Sequence, residues 1–241
     1  MPTTSRTRSL SAVILAAGKG KRFRSSLPKV LHTVAGRPLL RHAVDNALAA
    51  RPTRLVFVLG TGADRVEEAV RSWKLSPEPV FVRQDEPLGT GHAVLAAEKA
   101  VGRADEVLVV GGDFDPVSPE DVRKLLATHR RTNSAASILT ADVDQPGAYA
   151  RIAREGTRLL EIVEGTDAPR VLLERREVSA LVFAFRREDL YKALPLVGRD
   201  NRQREYYLNA VFPILIDKGE RVSALKVETG GMMGPNSRAD L

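Results

Sequence analysis

The stretch from Ala12 to Leu31, AVILAAGKGKRFRSSLPKVL, holds the residue types best suited to phosphate chemistry. A hydrophobic strand ends at Leu15, small residues follow, and Gly18 and Gly20 stand among four cations, Lys19, Lys21, Arg22 and Arg24. Glycines let main-chain N–H groups approach phosphate oxygens, and Lys and Arg neutralise them. The spacing suits a triphosphate, and an ordinary glycine turn with solvated cations is the other reading. A dinucleotide fingerprint is excluded because Phe23 stands where the third glycine would be, and a P-loop because no Gly-Lys-Ser/Thr closes the segment. Lys29 follows Pro28, either aimed at a ligand or as a surface lysine after a helix-start proline. Asp113 comes just after the run Val107 to Val110, beside Gly111 and Gly112. It suits a hard divalent ion, which takes one or two carboxylates plus substrate phosphates; a capping or turn aspartate is the alternative.

These residues need a scaffold that gathers strand ends. Val13 to Leu15, Arg54 to Leu59, Val80 to Val82 and Val107 to Val110 are short, nearly unbroken apolar runs, as in strands buried on both faces of a parallel sheet. Between and after them, Pro38 to Ala50, Ala63 to Trp73, Thr90 to Ala100 and Pro119 to Arg130 carry apolar residues at helical spacing. From about Ser134 the rhythm changes. Ala136 to Val143, Tyr149 to Ala153, Leu159 to Val163, Ala180 to Phe185 and Val222 to Val227 read as strands, with short helices near Glu188 to Leu194 and Tyr207 to Lys218. The pattern predicts one α/β domain over 10–241 with a doubly wound, mixed sheet. Its first half, 10–133, would carry a nucleotide, and its second, 134–241, would complete the sheet and cover a second ligand. Residues 1–9, rich in Ser, Thr and Arg, read as a disordered tail.

Composition narrows the partners. With 241 residues, 43% hydrophobic and 28% charged, the chain can bury a full core, and no cysteine is present for thiolate chemistry. A reducing cytoplasm fits, and no membrane span or signal-peptide layout is expected. The net charge of +7 calls for an anionic partner. Dispersed charge and 5% aromatics argue against nucleic acid, leaving a small phosphate-bearing ligand. His32, His42, His92 and His129 show no metal spacing and are assigned to no catalytic role.

The segment Leu15 to Gly36 closely resembles the signature of sugar-phosphate nucleotidyltransferases. It is closest to the uridyltransferase domains of the bifunctional N-acetylglucosamine-1-phosphate uridyltransferase/glucosamine-1-phosphate acetyltransferases. The resemblance continues through Gln84 to His92, Gly112-Asp113, Tyr149 to Ile152, Ile162 to Glu164 and Glu205 to Leu208. It implies a Rossmann-like sheet of the nucleotide-diphospho-sugar transferase type, GT-A-like, in a single domain. It also implies that Leu15, Ala16, Ala17 and Gly18 hold base and ribose through their backbone, with Lys19 and Gly20 in the same nucleotide loop. Arg22 would meet the leaving phosphates and Lys29 the reacting ones, while Gln84, Gly89 and Thr90 would read the base. Asp113 and Asn236 would share Mg2+. The left-handed β-helix of the bifunctional members has no counterpart here, so acetyl transfer is not expected.

The resemblance implies acceptor contacts at Ala150, Glu164, Ser179 and Asn209, and the motifs around Ala150, Ser179 and Asn209 depart from the family. Its Tyr-Gly-Arg-Ile reads Tyr149-Ala150-Arg151-Ile152, and its Glu-Ile/Val-Asn-Thr/Ala-Gly reads Glu177-Val178-Ser179-Ala180-Leu181. Asn209-Ala210 replaces Thr-Asp, Thr166 stands where lysine is frequent, and Gly111 where tyrosine is common. Asp115, a proline in the family, is read as a turn residue. The expectation is transfer of UMP from UTP, with pyrophosphate release, to a sugar-1-phosphate or another phosphorylated alcohol that differs from N-acetylglucosamine-1-phosphate. CTP, dTTP or GTP in place of UTP, or a non-catalytic nucleotide-binding sensor or assembly partner, are the rival readings. Neither nucleic acid nor membrane is an expected partner, and a homo-oligomer is compatible with the sequence.

Overall fold

The structure is a computed structural model that describes residues 8–113, 117–231 and 234–235. In chain order, strand β1 is Leu10–Ala16, and a small hairpin pairs β2 (Thr33–Val34) with β3 (Arg37–Pro38). There follow α1 (Leu39–Leu48), β4 (Arg54–Leu59), α2 (Ala63–Ser72), β5 (Pro79–Arg83), α3 (Thr90–Ala96), α4 (Glu98–Val101), β6 (Glu106–Gly111) and α5 (Pro119–Arg131). The second half holds β7 (Ala136–Val143), β8 (Arg151–Glu155), β9 (Arg158–Val163), α6 (Arg170–Leu173), β10 (Glu177–Arg186), α7 (Arg187–Ala193), α8 (Val211–Asp217) and β11 (Val222–Gly231).

The main sheet runs β11-β7-β10-β6-β1-β4-β5, and β8 leaves β10 to form an antiparallel ribbon with β9. Strands β6, β1, β4 and β5 are mutually parallel, whereas β10 lies antiparallel between β6 and β7. Burial on both faces explains the apolar runs. Ala12, Ile14, Leu55, Phe57, Leu108 and Val110 belong to one core, and the intervening Val13, Val56, Val58, Val107 and Val109 to the other. Helices α1, α2 and α5 bury their apolar stripes in the first core; α3, α7 and α8 do so in the second. Each fully buried Val, Leu, Ile or Phe contributes about 1.5–3 kcal/mol against exposure, so the sheet is a stiff platform for its loops. The mixed, doubly wound, single-domain architecture agrees with the pattern read from the sequence.

Several local expectations change. The helix expected over Thr90 to Ala100 breaks at Ala97 into α3 and α4, and that over Tyr207 to Lys218 begins as a 3-10 turn, Leu208–Ala210, before α8. The strand expected at Tyr149 begins at Arg151. Arg8 and Ser9, placed in the tail by composition, are tied to the fold: Ser9 N–H donates to Asp105 Oδ2 at 2.7 Å and Arg8 reaches Glu106 at 3.2 Å. Residues 1–7 lie outside the described residues. His129 is a core residue whose Nδ1 meets Ser137 Oγ at 2.8 Å, and burial pushes its pKa down to about 4.

Candidate active site

Open parallel sheets gather ligands outside the carboxyl ends of their strands, and a cleft of about 530 Å³ lies there. The end of β1 supplies Leu15 and the following Ala17, Gly18 and Lys19; the end of β5 supplies Gln84; the end of β6 supplies Gly111 and Asp113. The backbone N–H of Gly112 donates to Leu15 O at 2.9 Å, which locks the Asp113 loop to the glycine loop. Sequence-distant segments thereby share one wall.

Lys29 reaches this wall from the 3-10 turn Lys29–Leu31. Its Nζ lies 2.6 Å from Asp113 Oδ2, with side-chain exposures of 12% and 37%, so both heads face a part-open cleft. The same ammonium sits 5.4 Å from the ring centre of the buried Phe23. Gly20, at φ +56, presses on the lysine stem: a Cβ there would stand 2.7 Å from Lys29 Cβ. The glycine loop therefore braces the lysine from behind. Arg22 is exposed on the turn Lys21–Phe23 and does not line the cleft. Ala16 is buried, with its side chain in the core.

Gln84 is almost fully buried, and its amide nitrogen lies 3.1 Å from Gly89 O and 2.9 Å from His92 Nδ1. Both donors are committed, which leaves the amide oxygen as its remaining hydrogen-bonding group. His92, assigned no role from sequence, thus orients Gln84. Gly89 has φ +109, and a Cβ there would lie 2.6 Å from Tyr206 O. Gly91 N–H donates to Tyr206 O at 2.8 Å, Tyr206 N–H to Leu88 O at 2.7 Å, and Leu208 N–H to the exposed Thr90 hydroxyl at 2.9 Å. These bonds clip the 84–92 loop onto the 205–209 segment.

On the acceptor side, Glu164 follows β9 directly and Asn209 stands in the turn before α8; both line the cleft. Asn209 Nδ2 donates to Glu164 Oε1 at 2.7 Å, while its buried Oδ1 has no partner. Burial pushes the Glu164 carboxyl up to about 6; Asp167 and Glu205 add to the shift and the Asn209 amide opposes it. Ala150 and Ser179, expected at the acceptor, are both buried and lie behind the cleft wall. Ser179 N–H donates to Ala150 O at 2.9 Å, and Ser179 Oγ accepts from Leu181 N–H at 3.2 Å. The alternation of β10 turns Ser179 inward because the strand bulges just beyond it, four residues of β10 spanning two of β7.

The residue that the bulge delivers to the cleft is Leu181, at φ +51, a left-handed conformation costing a non-glycine residue about 1–2 kcal/mol. Its side chain lies over Gly111. Gln203, Glu205 and Leu208 also line the cleft and carry no sequence signal of their own beyond the Glu-Tyr-Tyr-Leu motif. Asn236 and Asp115 lie outside the described residues. Gly234, two residues before Asn236, accepts a hydrogen bond from the Tyr149 hydroxyl at 2.6 Å.

A divalent cation can be tested against the donor set. Among the described residues no cluster of three His, Cys, Asp or Glu could hold one. A part-exposed carboxylate facing the cleft at Asp113 still fits an ion that takes one protein carboxylate and completes its shell with phosphates and water.

Cation-braced strand ends thus face a polar pocket on a sheet of this order. The description MobA-like NTP transferase domain matches residues 12–194, and the chain belongs to that family. It is 41% identical over 232 residues to the bifunctional protein GlmU of Lactobacillus delbrueckii subsp. bulgaricus, covering 95% of this chain and 49% of that protein. It is 41% identical over 235 residues to GlmU of Syntrophotalea carbinolica, covering 96% and 50%. The chain thus spans about half the length of the curated relatives it matches. Among solved structures, the inositol-1-phosphate CTP transferase from T. maritima superposes with a TM-score of 0.77 at 19% identity, over 98% of this chain and 92% of that one. A UDP-glucose pyrophosphorylase complexed with UDP-glucose gives 0.74 at 17%, over 90% and 91%. At such identities the likeness is one of fold. No helix among the described residues is long and apolar enough to cross a membrane.

Proposed function

We propose that this chain transfers UMP from UTP to a sugar-1-phosphate or similar phosphorylated alcohol, releasing pyrophosphate. The observation that carries the reading is the Lys29–Asp113 pair at 2.6 Å, in one cleft with the glycine loop and with the Glu164–Asn209 pair. An acceptor phosphate is already ionised at neutral pH, so the reaction needs no general base. One of its oxygens forms a bond to the α-phosphorus, the bond from that phosphorus to the β-bridging oxygen breaks, and pyrophosphate departs with the electron pair. Catalysis then consists of alignment and charge neutralisation.

The residues divide this work. The Leu15–Gly20 backbone and Lys19 hold the nucleotide. Lys29 meets the charge that builds on the reacting phosphates, and Arg22, on the exposed turn outside the cleft lining, would meet the pyrophosphate only as it departs. Gln84, with its amide oxygen free to accept, takes an N–H of the base, such as N3–H of a uracil, and Gly89 and Thr90 shape the base pocket. Asp113, with Asn236, would hold Mg2+, which supplies charge neutralisation at the phosphates when bound. Glu164 and Asn209 meet acceptor hydroxyls, with Ala150 and Ser179 supporting that wall from behind. Such substrates belong to the cytoplasm.

The acceptor differs from N-acetylglucosamine-1-phosphate, because the positions that depart from the bifunctional uridyltransferases concentrate around Gly111, Leu181 and Asn209. The test is a matrix of UTP, CTP, dTTP and GTP against phosphorylated sugars and polyols with magnesium, read by pyrophosphate release. UTP with an acceptor lacking the acetamido group is expected to lead. Nucleotide binding without pyrophosphate from any pair would mean a sensor and overturn the reading.

A further inference from the structure

Six non-glycine residues other than Leu181 have positive φ among the described residues, and each stands at a turn or just beyond a helix. Leu181 alone of them is within a strand, where a glycine would relieve the conformation. Strained side chains persist where the surroundings over-determine them, and they cluster at functional sites. The surroundings here are explicit. The bulge in β10, the Ser179 hydroxyl bonded to Leu181 N–H, and the pairing of the next residue, Val182, with Val110 hold the backbone. The side chain that results is half-buried, packed on the edge of the second core with its remaining surface in the cleft.

Its position is close to the chemistry. A Cβ built on Gly111 would lie 3.1 Å from Leu181 Cβ, 3.4 Å from Leu181 Cδ1 and 3.4 Å from Asp113 Oδ1. Leu181 and the Asp113 carboxylate therefore both flank Gly111, and a side chain at 111 would crowd the leucine. An acceptor held between the Lys29–Asp113 pair and the Glu164–Asn209 pair shares the cleft with the Leu181 side chain. The four side-chain carbons of leucine fill about the room of an acetamido group, which has four heavy atoms. The polar groups of the same cleft ask for hydroxyls instead: the buried Asn209 Oδ1 has no donor, and Glu164 is its neighbour. An apolar wall cannot repay a buried amide, whereas unpaired acceptors favour ligands that donate to them.

We infer that Leu181 is the specificity-determining residue of the acceptor subsite. It restricts the acceptor to phosphorylated sugars or polyols that carry nothing larger than a hydroxyl beside the phosphate-bearing carbon. This rests on the transferase reading above, and the test separates the two. Glucose-1-phosphate and N-acetylglucosamine-1-phosphate are compared with UTP and magnesium in the wild type, Leu181→Gly and Leu181→Ala, with thermal unfolding to verify folding. The wild type is expected to favour glucose-1-phosphate at least tenfold in kcat/KM. Leu181→Gly should shrink that ratio at least tenfold through the KM of the acetamido acceptor, leaving the KM of UTP within twofold. Leu181→Ala, which keeps a Cβ, should fall between. A wild-type preference for the acetamido acceptor, or a ratio that neither variant moves, would overturn the role of Leu181 and leave the transferase standing. Absence of pyrophosphate from these pairs and from every pair of the triphosphate and acceptor matrix above would overturn both.

Discussion

Lys29 and Asp113 are 84 positions apart in sequence, and their charged atoms meet at 2.6 Å on the wall of the cleft. The contact joins the turn after the glycine loop to the tip of β6. Both side chains keep a share of solvent, so the pair is worth about 0–1 kcal/mol to folding. It sets a cation and a carboxylate side by side on the cleft wall.

Asp113→Ala is expected to lower turnover at least ~100-fold, and Lys29→Ala by a similar factor, the cost of one well-placed electrostatic group. Because the two touch, the double variant should lose less than the product of the single losses. Steady-state pyrophosphate release measures the turnover, and thermal melts should stay near wild type for all three. Unchanged kinetics in Asp113→Ala would rule out its role in the reaction.

Gly89→Ala puts a methyl 2.6 Å from the Tyr206 carbonyl at a φ of +109. Neither the loop nor the backbone opposite can give way without opening the bonds between Gly91, Leu88 and Tyr206. A loss on the order of 1–3 kcal/mol is expected, seen as a lower denaturation midpoint with unchanged slope. Weaker UTP binding by calorimetry should accompany it, since Gln84 leans on the Gly89 carbonyl. A wild-type midpoint would show that the loop is not clamped as described.

Glu164 is pushed up to about 6 by burial, with Asp167 and Glu205 reinforcing the shift and the Asn209 amide opposing it. Below that pH the carboxyl carries its own proton and loses acceptor capacity. The KM for the sugar phosphate should therefore rise as pH falls through about 6, approaching tenfold per unit below it. Stability moves the other way. The native state binds this proton at higher pH than the unfolded chain, so this group's contribution grows as pH falls from about 6 to its ordinary 4.5. Glu164→Gln should flatten the acidic limb of the KM profile; a limb that persists in this variant would locate the titrating group elsewhere.

Much of this architecture was legible in the residue pattern. The runs Arg54 to Leu59 and Ala136 to Val143 are the strands β4 and β7, because a strand covered on both faces must be apolar throughout. The glycine and cation pattern around Lys19 pointed to the end of β1, since small residues and charge cannot continue a buried strand. Lys29 and Asp113, singled out by residue type, line one cleft with Gln84, Glu164 and Asn209, which only the family resemblance named.

Other features depend on partners that no local pattern names. Ser179 and Ala150 read as acceptor contacts, yet a bulge two residues wide turns the hydroxyl inward and sends Leu181 into the cleft. His92 was silent until folding set it against Gln84. Local sequence dictates periodicity and flexibility, because those follow from each residue's own shape and polarity. Which side chain faces a ligand is decided by strand register and by contacts between distant segments, and a shift of one position in a strand exchanges inside for outside.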